Sequence, residues 1–328
     1  MTSARNLFRR RAVLALATLG LALAAPLAAQ AQGYPDKPVT LVVGFSPGSS
    51  IDMVARTVAL RLAEKLGQPV VVDNKVGAGG NVAAGLIARA PADGYTLLVV
   101  ANSIAISPAV YPDLKFDVQK DLRAVAYVGI GPVILKVSQQ RGFQSVGDLV
   151  KYAKAHPGAL NFGSSGIGGT PHMATALFSN VAGIKMTHIP YKGGSEALGA
   201  LVGGQIDVLI NPLLGDAASD KVKSLAITGA ARSALAPGVP TFAEAGYPGY
   251  DTGVYYGVMG PAGMPAEVVR KLNTAINQVL ADPAVVDSLS VRSGIALKPG
   301  TPDAFQQMLS EDIERWKAVV KNDKITVQ

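Results

Sequence analysis

Residues 161–172 run from a short apolar strand, Asn161-Phe162-Gly163, into a loop of small residues, Ser164-Ser165-Gly166-Ile167-Gly168-Gly169, and out of it into a helix that starts at Thr170-Pro171-His172. Ala174, Leu177, Phe178 and Val181 recur at helical spacing as one buried face, and Gly183 supplies the stop. Thr170 is the expected cap, and Pro171 suits the first turn. Such a junction leaves backbone N–H groups without acceptors and places a partial positive charge at their end. An anion, a carboxylate above all, is the natural ligand. The arrangement also constrains the fold: strand, tight loop and helix in this order form the repeating unit of an open parallel sheet.

A second junction of the same kind lies upstream. Val42-Val43-Gly44-Phe45 leads through Ser46-Pro47-Gly48-Ser49-Ser50 into a helix whose face is Val54, Ala55, Val58, Leu62 and Leu66, with Gly67 as its end. Between and after these junctions the chain alternates strand and helix. Pro69 to Asp73 precedes the glycine loop Gly77-Ala78-Gly79-Gly80-Asn81. Tyr95 to Ala101 ends at Asn102-Ser103. Lys185 to Tyr191 and Ile206 to Ile210 flank a helix for which Ser195 is the expected cap. Ser145 with Asp148 reads as another helix start. Ala124 to Val137, broken by Gly129-Ile130-Gly131-Pro132, is expected to cross between two domains, with a return near Asp251 to Met259. The helices at about Ala266 to Leu280 and Pro302 to Val320 are expected to pack back on the first domain.

The fold class expected is α/β, two doubly wound domains joined by crossing strands. The expected boundaries are a leader at 1–31, a first domain of 32–131 plus 253–328, and a second of 132–252, with the ligand cleft between them. The leader rests on Arg5, Arg9, Arg10 and Arg11 ahead of an apolar run from Ala12 to Ala25 and small residues at Ala29-Gln30-Ala31. Export by the Sec route, with Arg10-Arg11 a weaker pointer to the twin-arginine route, places the mature chain in a periplasm. Removal of the leader leaves 26 basic and 23 acidic residues, a net charge of +3, which is no footprint for nucleic acid.

With no cysteine and three scattered histidines, the chain offers neither disulfides, nor a lipoprotein anchor, nor a metal-ligand cluster, and no cofactor is expected. Ser164 and Ser165 between glycines raise the thought of a serine hydrolase, but the Gly-x-Ser-x-Gly spacing of a nucleophile elbow is missing. The reading preferred to an enzyme is a binding protein that closes two helix starts on one anion.

The candidate ligand-binding residues are Phe45, Gly48, Ser49, Ser50, Gly79, Asn81, Asn102, Ser103, Ser164, Ser165, Gly168, Thr170, His172 and Asp207. Each has a plainer reading beside it. The serines and Thr170 could only shape their loops; His172 could fix a loop by a backbone hydrogen bond; Asp207 could serve loop N–H groups rather than a ligand. Asp52 reads as a first-turn acid that satisfies backbone donors, and His188 as a structural histidine.

Several segments together resemble the Bug family, also called the TctC family, of periplasmic solute-binding proteins. They are Tyr34-Pro35-Asp36-Lys37-Pro38, Phe45-Ser46-Pro47-Gly48, Gly77 to Asn81, Asp93-Gly94-Tyr95-Thr96-Leu97-Leu98, Gly163 to Gly166 with Pro171-His172, His188 to Gly193, Gly203 to Val208, and Val239 to Gly246. The resemblance implies two α/β domains, a ligand carboxylate held by the loops Phe45 to Asp52 and Ser164 to His172, and no catalysis. It also implies membrane components of a tripartite tricarboxylate transporter as partners of a monomer, or alternatively a periplasmic sensor kinase. The first loop departs from the family pattern: Gly48-Ser49 stands where two glycines are common, and Ile51 where threonine is common.

Overall fold

The computed structural model describes residues 33–212, 220–250 and 252–322. The expected leader therefore lies outside the described residues. The chain divides between Asp36 and Lys37, and the elements below belong to the second unit.

The second unit is built on a single mixed sheet of ten strands. β1 (Val39–Val43) lies between β2 (Val70–Asn74) and β3 (Thr96–Ala101), parallel to both. Leu41 and Val43 on one face and Val42 on the other are all buried, as a parallel strand covered on both sides requires. The helix α1 (Ser50–Leu66) packs with α7 (Ala266–Leu280) over one face. On the other face α2 (Asn81–Ile87), α3 (Ser103–Val110) and the closing helix α8 (Pro302–Asn322) share a core with Val42, Leu98 and Val100, filled by Phe305, Leu309, Ile313 and Trp316.

The expected broken crossing is a single 17-residue strand, β4 (Leu122–Ser138). From Leu122 to Pro132 it pairs antiparallel with β9 (Gly253–Pro261), which in turn pairs with β3. From Val133 to Ser138 it pairs instead with β7 (Val208–Pro212) and β8 (Val222–Ile227). The chain's return at Gly253 is opposite Pro132, so the outward and return passages stand side by side. Gly129 marks where the short β10 (Ala296–Leu297) lies against β4: a Cβ there would meet the Ala296 carbonyl oxygen at 2.4 Å.

Beyond the partner change, β5 (Asn161–Ser164) lies between β7 and β6 (Thr187–Pro190), parallel to both. These strands carry α5 (Thr170–Ala182) and α6 (Gly194–Val202). The helix α4 (Val146–Ala155) starts with the expected capping box, Ser145 and Asp148 each bonded to the other's backbone N–H. Ser195 is not a cap: α6 begins one residue earlier, from an extended Gly193. The carboxyl ends of β1–β3 and of β5–β7 both open onto the same region, where α1 and α5 begin.

Candidate functional site

Both helix starts carry a residue suited to capping, and neither spends it on the helix. Ser49 occupies the N-cap of α1 in extended conformation, yet its hydroxyl makes no cap hydrogen bond and, though buried, has no partner among the described residues. An N-cap serine ordinarily accepts an N–H from the first turn. At α5 the N-cap is Gly169, not Thr170 as expected; Thr170 is the first helical residue, and its Oγ1 donates to Asn102 Oδ1 at 2.5 Å. The other end of Asn102 donates to the Gly253 carbonyl at 3.1 Å. The N–H groups of Ser50 and Ile51 in α1 and of Thr170 and His172 in α5 have no acceptor within their helices.

These starts enclose a cavity of about 40 Å³, room for about three water molecules. Its polar lining is Ser49, Ser50, Ser165, Thr170 and Asn211. Its apolar lining includes Phe45, Ile51, Pro171 and Val254. Among the described residues no charged side chain lines it, so the positive potential comes from the two helix ends.

The loop geometry is fixed from behind. Gly48, at φ +77°, donates its N–H to Asp52 Oδ2 at 2.9 Å, and Ser49 donates its N–H to the Ser46 carbonyl at 3.2 Å. Both amides are thus spent inside the loop, and Gly48 does not line the cavity. Asp52 also accepts from Arg56 Nε and Asn74 Nδ2, each at 2.9 Å. Burial would raise its pKa, but the bonds from Arg56, Gly48 and Asn74 together hold it below the usual value. Asp52 is therefore the loop-binding first-turn acid the sequence suggests.

Behind the second loop three rings stack: His172 on His188 at 4.0 Å and His188 on Phe162 at 4.9 Å. Gly168 donates its N–H to His172 Nδ1 at 3.1 Å, so this imidazole is a neutral acceptor that sets the loop. Burial, with a smaller contribution from His188, pushes the His172 pKa down to about 3; burial alone takes His188 to about 4. Ser164 Oγ lies 2.6 Å from His188 Nε2 and accepts the Gly166 N–H at 3.1 Å. The pair resembles a nucleophile and its base, but Ser164 is wholly buried and turned into the loop, out of reach of a substrate.

Of the residues singled out in the sequence, Phe45, Ser49, Ser50, Ser165 and Thr170 meet at the cavity. Gly79, Asn81 and Ser103 line a smaller void behind Phe45. Asn102 joins the walls through Thr170. Ser164, Gly168 and His172 support the second loop. Asp207 is not brought to the cavity: it sits before the amino end of β7, where it pairs with Arg141 at 2.6 Å and accepts the Asn161 N–H at 2.8 Å. Sequence reasoning missed Asn211, the single amide in the apolar strand Val208–Pro212, at the carboxyl end where ligands bind.

The family model of the tripartite tricarboxylate transporter family receptor matches residues 54–325. The protein BugT of Bordetella pertussis is 35% identical over 96% of this chain and 98% of its own. Among solved structures, Rhodopseudomonas palustris Rpa4515 with adipate is 35% identical, with a TM-score of 0.84 over 89% of this chain and 99% of its own. MatC from the same organism, with bound malate, is 32% identical, with a TM-score of 0.83 over 88% of this chain and 100% of its own.

Proposed function

The chain belongs to the tripartite tricarboxylate transporter receptor family, and on that premise we propose that it captures a small organic carboxylate between the starts of α1 and α5 for uptake by a tripartite transporter. Its relatives are periplasmic solute receptors and not enzymes, and the proposed working place of this chain is the periplasm. Among the described residues no helix is long and apolar enough to cross a membrane.

The observation that supports this reading best is the Ser49 hydroxyl. It is a buried cap side chain that leaves its own helix unserved and faces a cavity into which a second helix also points. A ligand carboxylate takes that hydroxyl and the free first-turn amides together. Charge-assisted hydrogen bonds are worth about 1.5–3 kcal/mol each, so three or four offset the desolvation of one carboxylate without a cationic side chain. A cavity of about 40 Å³ admits an organic acid only when its walls part. We therefore place the moving boundary at Gly131–Pro132, where β4 changes partners and the chain returns, with residues 32–131 plus 253–328 on one side and 132–252 on the other.

Thermal shift of protein refolded free of carried ligand, against organic acids and their matched amides, tests the reading. Stabilisation by acids and not by amides is expected, because a ligand that binds only the folded state raises its stability. Equal shifts with both, or none with either, would overturn it.

A further inference from the structure

The carboxamide oxygen of Asn211 remains unexplained by a carboxylate site. Asn211 is 2% exposed, its carboxamide oxygen has no hydrogen-bond partner among the described residues, and it lines the same cavity as Ser49 and Thr170. Its position is fixed by the sheet: Asn211 stands in register with Ile134 of β4. It also lies on the same face of β7 as Leu209, which is core beneath α6. One strand step beyond Leu209 that face leaves the core and reaches the cavity beside Gly194, the first residue of α6.

A buried acceptor without a donor costs stability unless something supplies the hydrogen. The first-turn amides of α1 and α5 and the Ser49 hydroxyl account for a carboxylate. The Asn211 oxygen repels one and calls for a donor. An ammonium is a poor occupant, because among the described residues no carboxylate lines the cavity and the nearby Asp52 is already held by Arg56, Asn74 and the Gly48 N–H. A buried cation against one neutral oxygen is not compensated. A hydroxyl needs only what Asn211 offers.

We infer that Asn211 is a specificity-determining residue and that the ligand class is small hydroxy acids, with the carboxylate at the two helix starts and the hydroxyl donating to Asn211. The inference rests on the carboxylate reading and adds the second half of the recognition.

Calorimetric titration of refolded protein with paired acids tests it: lactate against propionate, 3-hydroxybutyrate against butyrate, malate against succinate. The hydroxylated member of the pairs that fit should bind at least about tenfold tighter, the loss expected when a buried acceptor is left unpaired. In Asn211→Ala, with its fold checked by circular dichroism, that ratio should fall to near one while the plain acid keeps its affinity. Acids that bind equally with and without the hydroxyl would overturn the inference and leave the carboxylate reading intact. A preference that survives in Asn211→Ala would assign the hydroxyl to another residue and overturn it too. Failure of every acid to bind would remove both readings at once.

Discussion

The Thr170 hydroxyl donates to Asn102 Oδ1 at 2.5 Å, tying the first helical residue of α5 to the carboxyl end of β3. The two residues belong to strand groups that meet only along β4, so this bond closes the cavity wall across the gap. Thr170→Val keeps the shape and deletes the donor. One neutral hydrogen bond is worth about 1 kcal/mol, so ligand affinity should fall about fivefold, and the melting temperature should fall as well because the buried Asn102 Oδ1 loses its donor. Unchanged affinity in titration calorimetry would remove Thr170 from the closed state.

Gly79 reports on closure from the other side. It has a φ of +62°, and a Cβ there would lie 2.5 Å from the carbonyl oxygen of Ile167, in the second loop. The same carbonyl accepts the Tyr111 hydroxyl at 2.8 Å. Gly79→Ala should hold the walls apart and weaken binding by more than about tenfold, since a backbone clash costs a few kcal/mol. Small-angle scattering should show that ligand no longer compacts this variant; normal compaction would refute the contact's importance.

Asp207 predicts the opposite pattern. With its carboxylate spent on Arg141 and the Asn161 N–H at the far end of the sheet, Asp207→Asn should leave ligand affinity unchanged. Arg141 is partly exposed, which limits the loss of stability to about 1–2 kcal/mol. A tenfold change in affinity would return Asp207 to the site.

The two stacked histidines set a pH dependence. Both are neutral in the fold, at about 3 and about 4, against an ordinary 6.5. The unfolded chain therefore takes up protons first. Their contribution is complete above pH 6.5 and is lost as pH falls from there toward 4. Urea midpoints measured at pH 7.5 and pH 5 should differ more for the parent protein than for His188→Phe, which keeps the ring and removes the titration. Equal differences would show that the pair does not titrate in this range.

The alternation of strand and helix was legible in the sequence because each buried strand is a continuous apolar run and each helix repeats every three to four residues, as in Val54, Val58 and Leu62. The two helix starts at the cavity were legible for the same reason. The helix α3 escaped notice: it follows β3 with no glycine break and contains Pro108, so nothing marks its start and one residue argues against it. Thr170 and Asn102 are separated by 68 residues, and a sequence says that each can cap a helix but not that they satisfy each other. Asp207 stands near the start of its apolar run, so the strand carries the carboxylate to the amino edge of the sheet, opposite the carboxyl ends where α1 and α5 begin.

β4 runs unbroken through the place where the sheet changes partners. A continuous strand resists stretching and sideways shear, but it bends and twists at low cost where its neighbours on either side end. Under the closure proposed above, the gap therefore has an angular freedom and almost no translational one. A partner protein reading this receptor would distinguish its loaded and empty forms by the angle between two surfaces, much as a lever is read by its tilt, wherever on those surfaces it makes contact.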